Sequence, residues 1–538
     1  METRSEGKAG SPLQISGTTT IPTSRAISAF RFNEFIASRV IVALAMLAGA
    51  YLRLWQINAM GYNTDEAVYA GQAAAIAGIP VLKDIFPIFR AHPLLVQFVL
   101  SLIYRVYFSD LVGRFFAVAV GLGTVYVTYM IGKTLYGQLT GAVAAAALAL
   151  MPYAVVVSRQ LLLDGPMVFF ATLTMYMLAR FGKSQKPVWL YASGVSMGLT
   201  FLSKETGIIL LGAIFVFLAL SPAVRIRFRD LVLAAILLIV VSVPFPLSIF
   251  LAGGSSTGRN YLTWQLFRRP NHPWTFYLQT LPSALGIVLI IIAVLGLIVL
   301  WRERSWHEVL LLSWIIVPFA FFQIWPVKGY QYLLPIAPSV AVLAGHLLAK
   351  LINHGQRARL PARSPAYFSV PPMLSWLVAG GLLVSMGTAS WQQVQPETSS
   401  LFLAGTGGVP GGREVGAWIV QNVPANATFM TIGPSMANIL EFYGERKAYG
   451  LSVSPNPLHR NPSYEPILNP DLQIRNSDLQ YIVWDSFSAA RSSFFSNQIM
   501  TYVKKYNGRV VHTESITVND GHGNMVVTPV IIIYEVHP

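Results

Sequence analysis

Long apolar runs constrain this chain more than any other feature of its sequence. Several of them approach the ~20 residues that a helix needs to cross a bilayer. Charged residues make up only 11% of the 538 residues, whereas a soluble chain carries roughly a quarter. These features predict a polytopic α-helical membrane protein. The apolar runs are residues 38–57, 93–108, 112–132, 138–157, 161–181, 188–203, 206–220, 230–251, 279–300, 307–325, 330–350 and 372–390.

The basic residues lie in short clusters between alternate runs, for example Arg225, Arg227 and Arg229. Such loops stay on the cytoplasmic side of the plasma membrane under the positive-inside rule. The net charge of +15 therefore reflects membrane topology and does not indicate a nucleic-acid partner. The alternation agrees with a cytoplasmic N-terminus only if run 93–108, which contains Arg105, fails to cross. We expect about eleven spans plus interfacial helices, with the C-terminal region outside.

The composition divides the chain into three parts. Residues 1–35 are polar and predict a disordered cytoplasmic tail, residues 36–390 form the membrane domain, and residues 391–538 predict an extracytoplasmic α/β domain. No Gly-rich phosphate loop follows a strand, so we expect no nucleotide site in that last domain. The expected strands are 418–420, 428–432, 479–485, 509–512 and 526–536, and the expected helices are 412–422, 435–443 and 487–506.

Two adjacent acids, Asp65 and Glu66, follow the first apolar run in the stretch GYNTDEAVYA. Charge is scarce in this chain, so a carboxylate pair at a membrane boundary requires an explanation. Asn63 can cap a helix whose third residue is Glu66, and acids are favoured at a helix start. The residues alone leave open whether the acids only start a helix or also take part in chemistry.

Further charges fall on the same, external side under this topology. Asp164 and Arg159 lie in SRQLLLD, where they either form an ion pair that ends a helix or belong to a functional site. Lys204 lies in FLSKETG, at the tip between two apolar helices. Its ammonium group either binds a phosphate as a point charge or extends to the membrane interface.

The longest external segment between spans, residues 252–280, mixes arginines with aromatic residues, including Arg259 and Tyr261. Aromatic residues are ordinary at a membrane boundary, but external arginines run against the positive-inside trend and indicate an anionic ligand. Lys328 and Tyr330 open a later span with the same combination of a cation and an aromatic ring. Both are compatible with ligand binding and with interfacial anchoring.

The order of these features resembles one known family. A hydrophobic span is followed by TDEAVYA, HPLLVQFVLSLIYRV, a helix containing Arg114, SRQLLLD, FLSKETG and KGYQYLLPIAPSVAVLAG. This order resembles the integral-membrane glycosyltransferases with a C-type fold, in the protein O-mannosyltransferase and aminoarabinose transferase branch. The resemblance covers most of residues 40–350, and residues 391–538 look like the external α/β domain of many bacterial members.

The resemblance also implies roles for individual residues. It makes Asp65 the catalytic carboxylate, matches Asp164 to a later external Asp of the family, and makes Lys204 a contact of the lipid phosphate. Where many members have Lys-Pro-Pro, this chain has His92-Pro93, so one phosphate-contacting cation of the family has no direct counterpart, and a replacement by Arg90 or Lys83 is left open. The candidate site comprises Asp65 and Asp164 as catalytic residues and, for substrate binding, Glu66, Arg159, Lys204, Arg259, Tyr261, Lys328, Tyr330 and His92.

The reaction that the resemblance implies is transfer of a sugar, with inversion, from a polyprenyl-phosphate carrier to a hydroxyl of a protein, lipid or glycan. A carboxylate can activate the hydroxyl, and cations can stabilise the leaving phosphate. No cofactor is expected, although Asp65, Glu66 and Asp164 leave a divalent cation open. A transporter or flippase of lipid-linked substrates is the alternative, but charges on one face without repeated halves favour the enzyme over it. A non-catalytic scaffold is a further alternative.

Overall fold

The computed structural model describes residues 24–86, 92–251, 264, 267–300, 305–357, 372–395, 409–456, 459–461, 464–519 and 524–538. Helices make up the chain up to residue 395, and a smaller domain with a β-sheet follows from residue 409. This confirms the predicted architecture of a helical membrane domain followed by an α/β domain.

The helices of the membrane domain are of very different lengths, from six residues at Pro80–Ile85 to 31 at Ser24–Leu54. Helical turns of other types lie at Glu205–Ile209, Pro282–Gly286 and Tyr330–Ile336. The α-helices are α1 (Ser24–Leu54), α2 (Thr64–Ala77), α3 (Pro80–Ile85), α4 (Leu95–Tyr104), α5 (Asp110–Leu135), α6 (Gln138–Leu150), α7 (Pro152–Val157), α8 (Asp164–Ser184), α9 (Pro187–Ser203), α10 (Leu210–Ala219), α11 (Phe228–Ser242), α12 (Pro244–Leu251), α13 (Phe276–Leu281), α14 (Ile287–Leu300), α15 (Trp306–Ile324), α16 (Ala337–Arg357) and α17 (Pro372–Gln393).

Within the described ranges, seven helical segments are long and apolar enough to cross a membrane. Shorter apolar helices accompany them. One is α4, whose ten residues extend only ~15 Å and cannot cross ~30 Å of hydrocarbon. The seven segments are Phe35–Leu54, Asp110–Leu135, Phe228–Leu251, Phe276–Ile298, Trp306–Ile324, Tyr330–Asn353 and Met373–Gln393.

Several helix boundaries differ from the expected runs. Helix α1 begins at Ser24, so residues 24–35, expected in a disordered tail, are helical. Run 138–157 is divided at Met151, because Pro152 cannot continue the helix before it and instead starts α7. Run 230–251 is divided in the same way before Pro244.

Small residues let the central helices approach closely. In α6 every residue from Leu139 to Ala149 is buried, and most of them are alanine or glycine. A Cβ atom on Gly132 of α5 would lie 2.7 Å from the Cα atom of Gly141 in α6. Close backbone contact of this kind is how membrane helices associate when lipid offers no hydrophobic driving force.

The C-terminal domain contains a five-stranded sheet in the order β2-β1-β3-β5-β4. Strand β1 is parallel to β2 and β3, and β5 is antiparallel to β3 and β4. The elements are α18 (Gly412–Asn422), β1 (Thr428–Thr431), α19 (Pro434–Tyr443), β2 (Lys447–Gly450), α20 (Pro470–Arg475), β3 (Tyr481–Asp485), α21 (Ser486–Arg491), α22 (Ser493–Lys505), β4 (Arg509–Asn519) and β5 (Met525–Glu535).

The predicted helix 412–422 is confirmed, and four of the predicted strands have counterparts in the sheet. The predicted strand 418–420 is wrong, because Trp418, Ile419 and Val420 lie in α18. Strand β2 was not predicted. Its four residues, Lys447–Gly450, show no apolar alternation strong enough to mark them.

The C-terminal domain is fixed to the membrane domain at the start of α5. The carboxylate of Asp110 accepts hydrogen bonds from Arg413 at 2.6 Å and from the Tyr443 hydroxyl at 2.7 Å. The same hydroxyl accepts from the backbone N–H of Tyr62 at 2.8 Å. The ring of Phe442 packs 5.2 Å from that of Tyr62. Polar and aromatic contacts therefore hold α19 against the segment that leads into α2.

A buried ion pair fixes the start of α2. Glu66 and Asn63 form a capping box, in which each side chain accepts a hydrogen bond from the other residue's backbone. Glu66 also accepts from Nε and Nη2 of Arg114 at 3.0 and 2.9 Å. Arg114 donates further to the carbonyl groups of Ile57, Met60 and Gly61. One guanidinium group thus ties α5, the preceding loop and the first turn of α2 together.

Replacing Arg114 with Gln should destabilise the fold by about 3–5 kcal/mol, because it leaves the carboxylate of Glu66 buried without its cation. Thermal unfolding of the purified protein in detergent measures this effect. Arg105→Gln, at an exposed position after α4, is the matched control and should leave the unfolding midpoint unchanged. Equal midpoints for the two variants would contradict the structural role of Arg114.

Candidate active site

A cavity of about 1190 Å³ opens between the membrane domain and the C-terminal domain. Its walls come from α2, from the turns that follow α9 and precede α16, from α13 and α15, and from loops of the C-terminal domain. Besides tyrosines, the ionisable side chains on its walls are Asp65, His92, Lys204, Glu205, Arg268, His272, Lys328 and Arg491. Five of the predicted site residues line it, namely Asp65, His92, Lys204, Lys328 and Tyr330.

Asp65 is the half-buried carboxylate of the cavity wall on α2. Burial raises its pKa above the ordinary value, Lys204 lowers it, and the neighbouring carboxylate of Asp164 raises it. Among the described residues, Asp65 forms no ion pair. An acid without a bonded cation, facing a cavity, is available to accept a proton from a ligand.

Lys204 and Asp164 form a buried ion pair beside Asp65. The ammonium nitrogen of Lys204 lies 2.9 and 2.8 Å from the two carboxylate oxygens of Asp164. It also lies 5.2 Å from the centre of the Tyr332 ring. Burial alone would lower the pKa of Lys204, but Asp164, with Tyr332 and Glu205, raises it. Lys204 therefore carries its positive charge into the cavity, and Asp164 acts through Lys204 without lining the cavity itself.

The other predicted cations are held by different partners. Nδ1 of His92 lies 2.9 Å from Oε2 of Glu205, so His92 is tied to the residue after Lys204. The ammonium group of Lys328 donates to the backbone carbonyl groups of Gln323 and Trp325 at 3.0 Å each. It is oriented by neutral oxygens, and no carboxylate of the described residues forms an ion pair with it.

Tyr330 presents a largely buried ring to the cavity. Its backbone carbonyl group accepts a hydrogen bond from the hydroxyl of Tyr153, and the two rings lie 4.6 Å apart. These contacts fix the turn that follows Lys328.

The structure does not bring Glu66 and Arg159 to the cavity. Glu66 is buried in the capping box and the ion pair with Arg114. Arg159 does not pair with Asp164. It donates to the carbonyl groups of Leu52, Arg53 and Trp55, because the end of α1 offers carbonyl groups that have no partner within the helix. Arg259 and Tyr261 lie outside the described residues.

Sequence reasoning missed the contribution of the C-terminal domain. Asn461, Tyr464 and Arg491 line the cavity, although we predicted no site residue in that domain. Their positions in loops and at a helix end carry no motif that would mark them. Arg268, named only as part of a long segment, also lines the cavity, and its guanidinium group lies 4.5 Å from the ring centre of Trp264.

The described part of the chain contains no cluster of side chains that could bind a metal ion. No three His, Cys, Asp or Glu side chains converge there as ligands of an ion would. Of the three acids considered above, Glu66 is bonded to Arg114 and Asp164 to Lys204.

Comparisons with known proteins agree with this geometry. Residues 91–250 match the model of the family described as dolichyl-phosphate-mannose-protein mannosyltransferase. Two candidate mannosyltransferases of Bacillus subtilis are similar over shorter stretches. YycA is 31% identical over 139 residues, which are 25% of this chain and 20% of YycA. YkcB is 29% identical over 130 residues, 24% of this chain and 18% of YkcB. The matches thus span about a fifth of each relative's length.

Solved structures match over nearly the whole chain. ArnT from Cupriavidus metallidurans bound to undecaprenyl phosphate superposes with a TM-score of 0.64 at 15% identity, covering 92% of this chain and 97% of ArnT. Apo ArnT gives 0.62 at 14% identity, with coverage of 95% and 98%. The oligosaccharyltransferase AglB from Archaeoglobus fulgidus, in complex with an inhibitory peptide and a dolichol-phosphate, gives 0.56 at 13% identity, with coverage of 91% and 74%.

These findings confirm the resemblance that the order of the sequence motifs indicated. The chain is a multi-pass membrane protein with the C-type fold of the integral-membrane glycosyltransferases ArnT and AglB, and its residues 91–250 match a mannosyltransferase family.

Proposed function

We propose that this protein is an inverting glycosyltransferase that moves a sugar from a polyprenyl-phosphate carrier to a hydroxyl group of an acceptor. One observation carries the proposal. The carboxylate of Asp65, which forms no ion pair with another described residue, lines a single cavity together with the cations of Lys204, Arg268 and Lys328. That cavity lies in a fold shared with ArnT, which has been solved bound to undecaprenyl phosphate.

In the proposed reaction, the oxygen of the acceptor hydroxyl attacks the anomeric carbon of the sugar. Asp65 accepts the proton that this hydroxyl loses. The bond from that carbon to the phosphate oxygen breaks, and its electron pair leaves with the polyprenyl phosphate. Lys204, Arg268 and Lys328 stabilise the negative charge that develops on this leaving group. Attack from the face opposite the phosphate inverts the configuration of the anomeric carbon. Asp164 keeps Lys204 charged and oriented through their ion pair.

The cavity also suits the two kinds of substrate. Apolar residues of the membrane helix α15, including Phe321 and Phe322, line the cavity, and we place the lipid chain against them. Asn461, Tyr464 and Arg491 of the C-terminal domain also line it, and we place the polar acceptor there. We place the reaction on the external face of the plasma membrane, since the basic loops indicate a cytoplasmic N-terminus. The acceptor is a hydroxyl of a protein, lipid or cell-envelope glycan.

The proposed mechanism needs no cofactor. The donor arrives already activated as a phosphate ester, and lysine and arginine supply the positive charge that a metal ion would otherwise supply. The carboxylates of Glu66 and Asp164 are both bonded to buried cations, which disfavours their use as metal ligands.

Replacing Asp65 with Asn should lower sugar transfer by about 10²–10⁴-fold, the usual contribution of a general base. The measurement is release of polyprenyl phosphate from polyprenyl-phosphate mannose by the purified full chain in lipid vesicles. Asp84→Asn, at an exposed position in α3, is the matched control and should keep full activity. Substantial activity in the Asp65 variant would remove Asp65 as the base.

As the pH is lowered, the rate of sugar transfer should begin to fall at a higher pH than it would if the base were an exposed aspartate. Asp65 must be deprotonated to act as a base, and burial raises its pKa above 3.8. Protonation therefore begins to remove the active form while an exposed aspartate would still be charged. A profile of kcat/KM against pH reports this pKa in the free enzyme. An acidic limb at or below 3.8 would contradict the assigned environment.

Replacing Lys204 with Gln should weaken binding of undecaprenyl phosphate about 10–100-fold, because a hydrogen bond to a charged group contributes ~1.5–3 kcal/mol. Lys204→Arg retains the charge beside Asp164 and should bind more tightly than the Gln variant. Lys83→Gln, at an exposed position, should bind like the unmodified protein. Tritiated undecaprenyl phosphate in a filter assay measures all three. Equal affinity in the Gln and unmodified proteins would exclude Lys204 as a phosphate contact.

A further inference from the structure

The C-terminal domain reaches the same cavity as Asp65. Tyr464 lies in the loop between β2 and α20, and it lines the cavity together with Asn461 and Arg491. This wall faces the start of α2, so a ligand between the domains would touch both. The loop carries no sequence motif, and neither the fold nor the family match, which ends at residue 250, assigns it a role.

One side chain connects this wall to the catalytic helix. The amide of Asn438, on α19, donates a hydrogen bond of 2.9 Å to Oγ1 of Thr64, the residue before Asp65. The same side chain lies beside the hydroxyl of Tyr464 and lowers the pKa of that group. Asn438 itself is buried. It therefore connects Tyr464 with the first residue of α2.

Electrostatics also links Tyr464 to the reacting groups. Burial raises the pKa of Tyr464, Asp65 raises it further, and Asn438 and Arg268 lower it. Tyr464 thus lies within the influence of both the proposed base and a proposed phosphate cation. With a raised pKa it remains a protonated phenol, which can donate a hydrogen bond to a ligand.

We propose that Tyr464 is a substrate-contacting residue of the active site, held in place by Asn438, so that the C-terminal domain completes the site. This inference rests on the proposed function. The phenol of Tyr464 donates a hydrogen bond to one lone pair of the acceptor oxygen, and the other lone pair of that oxygen attacks the sugar. The proton of the acceptor passes to Asp65, the new bond forms to the anomeric carbon, and the phosphate leaves with the electron pair of the old bond. Tyr464 keeps its own proton throughout.

The domain is anchored by further contacts besides those of Tyr464 and Asn438. Arg413 and Tyr443 bind Asp110 at the start of α5, and Phe442 packs against Tyr62. Substitution of Tyr464 or Asn438 should therefore leave the domain docked. Loss of activity in such variants then reports on the site and not on the position of the whole domain.

The test uses the full chain in lipid vesicles with polyprenyl-phosphate mannose as donor and water as acceptor. Tyr464→Phe should lower kcat for donor hydrolysis about tenfold, the loss of one well-placed hydrogen bond. It should leave the donor KM and the affinity for undecaprenyl phosphate unchanged. Asn438→Ala should lower kcat by a similar factor. The double variant should be no slower than either single variant, because the two residues act as one unit.

Tyr502→Phe is the matched control, since Tyr502 belongs to the same domain but does not line the cavity. Thr64→Ser retains the hydroxyl that Asn438 binds and should keep activity, whereas Thr64→Val should not. Unchanged kcat in Tyr464→Phe, or equal loss in Tyr502→Phe, would overturn the inference. Failure of the unmodified protein to consume any donor would instead overturn the proposed function.

Discussion

The buried pair of Glu66 and Arg114 is the interaction on which the site depends. It holds the first turn of α2 against α5 and against the loop after α1. Successive residues on a helix project ~100° apart. When Glu66 points into this network, Asp65 is turned toward the cavity. A buried ion pair adds little net stability on its own, but here it selects one orientation of the helix.

A second pair governs the charge inside the cavity. Lys204 would be costly to bury alone, and Asp164 offsets that cost at a distance of 2.8 Å. Oε2 of Glu205, the residue after Lys204, lies 2.9 Å from Nδ1 of His92. Asp65 lies beside these pairs without joining them. In the proposed reaction, this arrangement leaves the carboxylate of Asp65 to act as the base and the ammonium group of Lys204 to bind the phosphate, which is the division of roles that glycosyl transfer from a lipid phosphate requires.

Several residues of the candidate site could be predicted from the sequence, because charged residues are rare in membrane segments and are therefore easy to recognise. Charge is expensive in a membrane, so Asp65, Lys204 and Lys328 were identifiable as exceptions. The role of Arg159 was not, because its partners are the carbonyl groups at the end of α1, more than a hundred residues earlier. Residues 418–420 were misread because three apolar residues in a row fit a buried strand as well as one face of α18.

The C-terminal wall was beyond sequence reasoning for a different reason. Tyr464 and Asn438 are ordinary residues in a soluble domain, where polar groups carry no marked cost. The docking of the domain at Asp110 and Tyr62 brings them to Asp65. The cavity therefore combines charged side chains of the membrane domain with Asn461, Tyr464 and Arg491 of the sheet domain. Under the proposed function, the lipid-linked donor reaches Asp65 from the membrane domain and the polar acceptor reaches it from the sheet domain. Joining the two domains then creates the site where the two substrates meet.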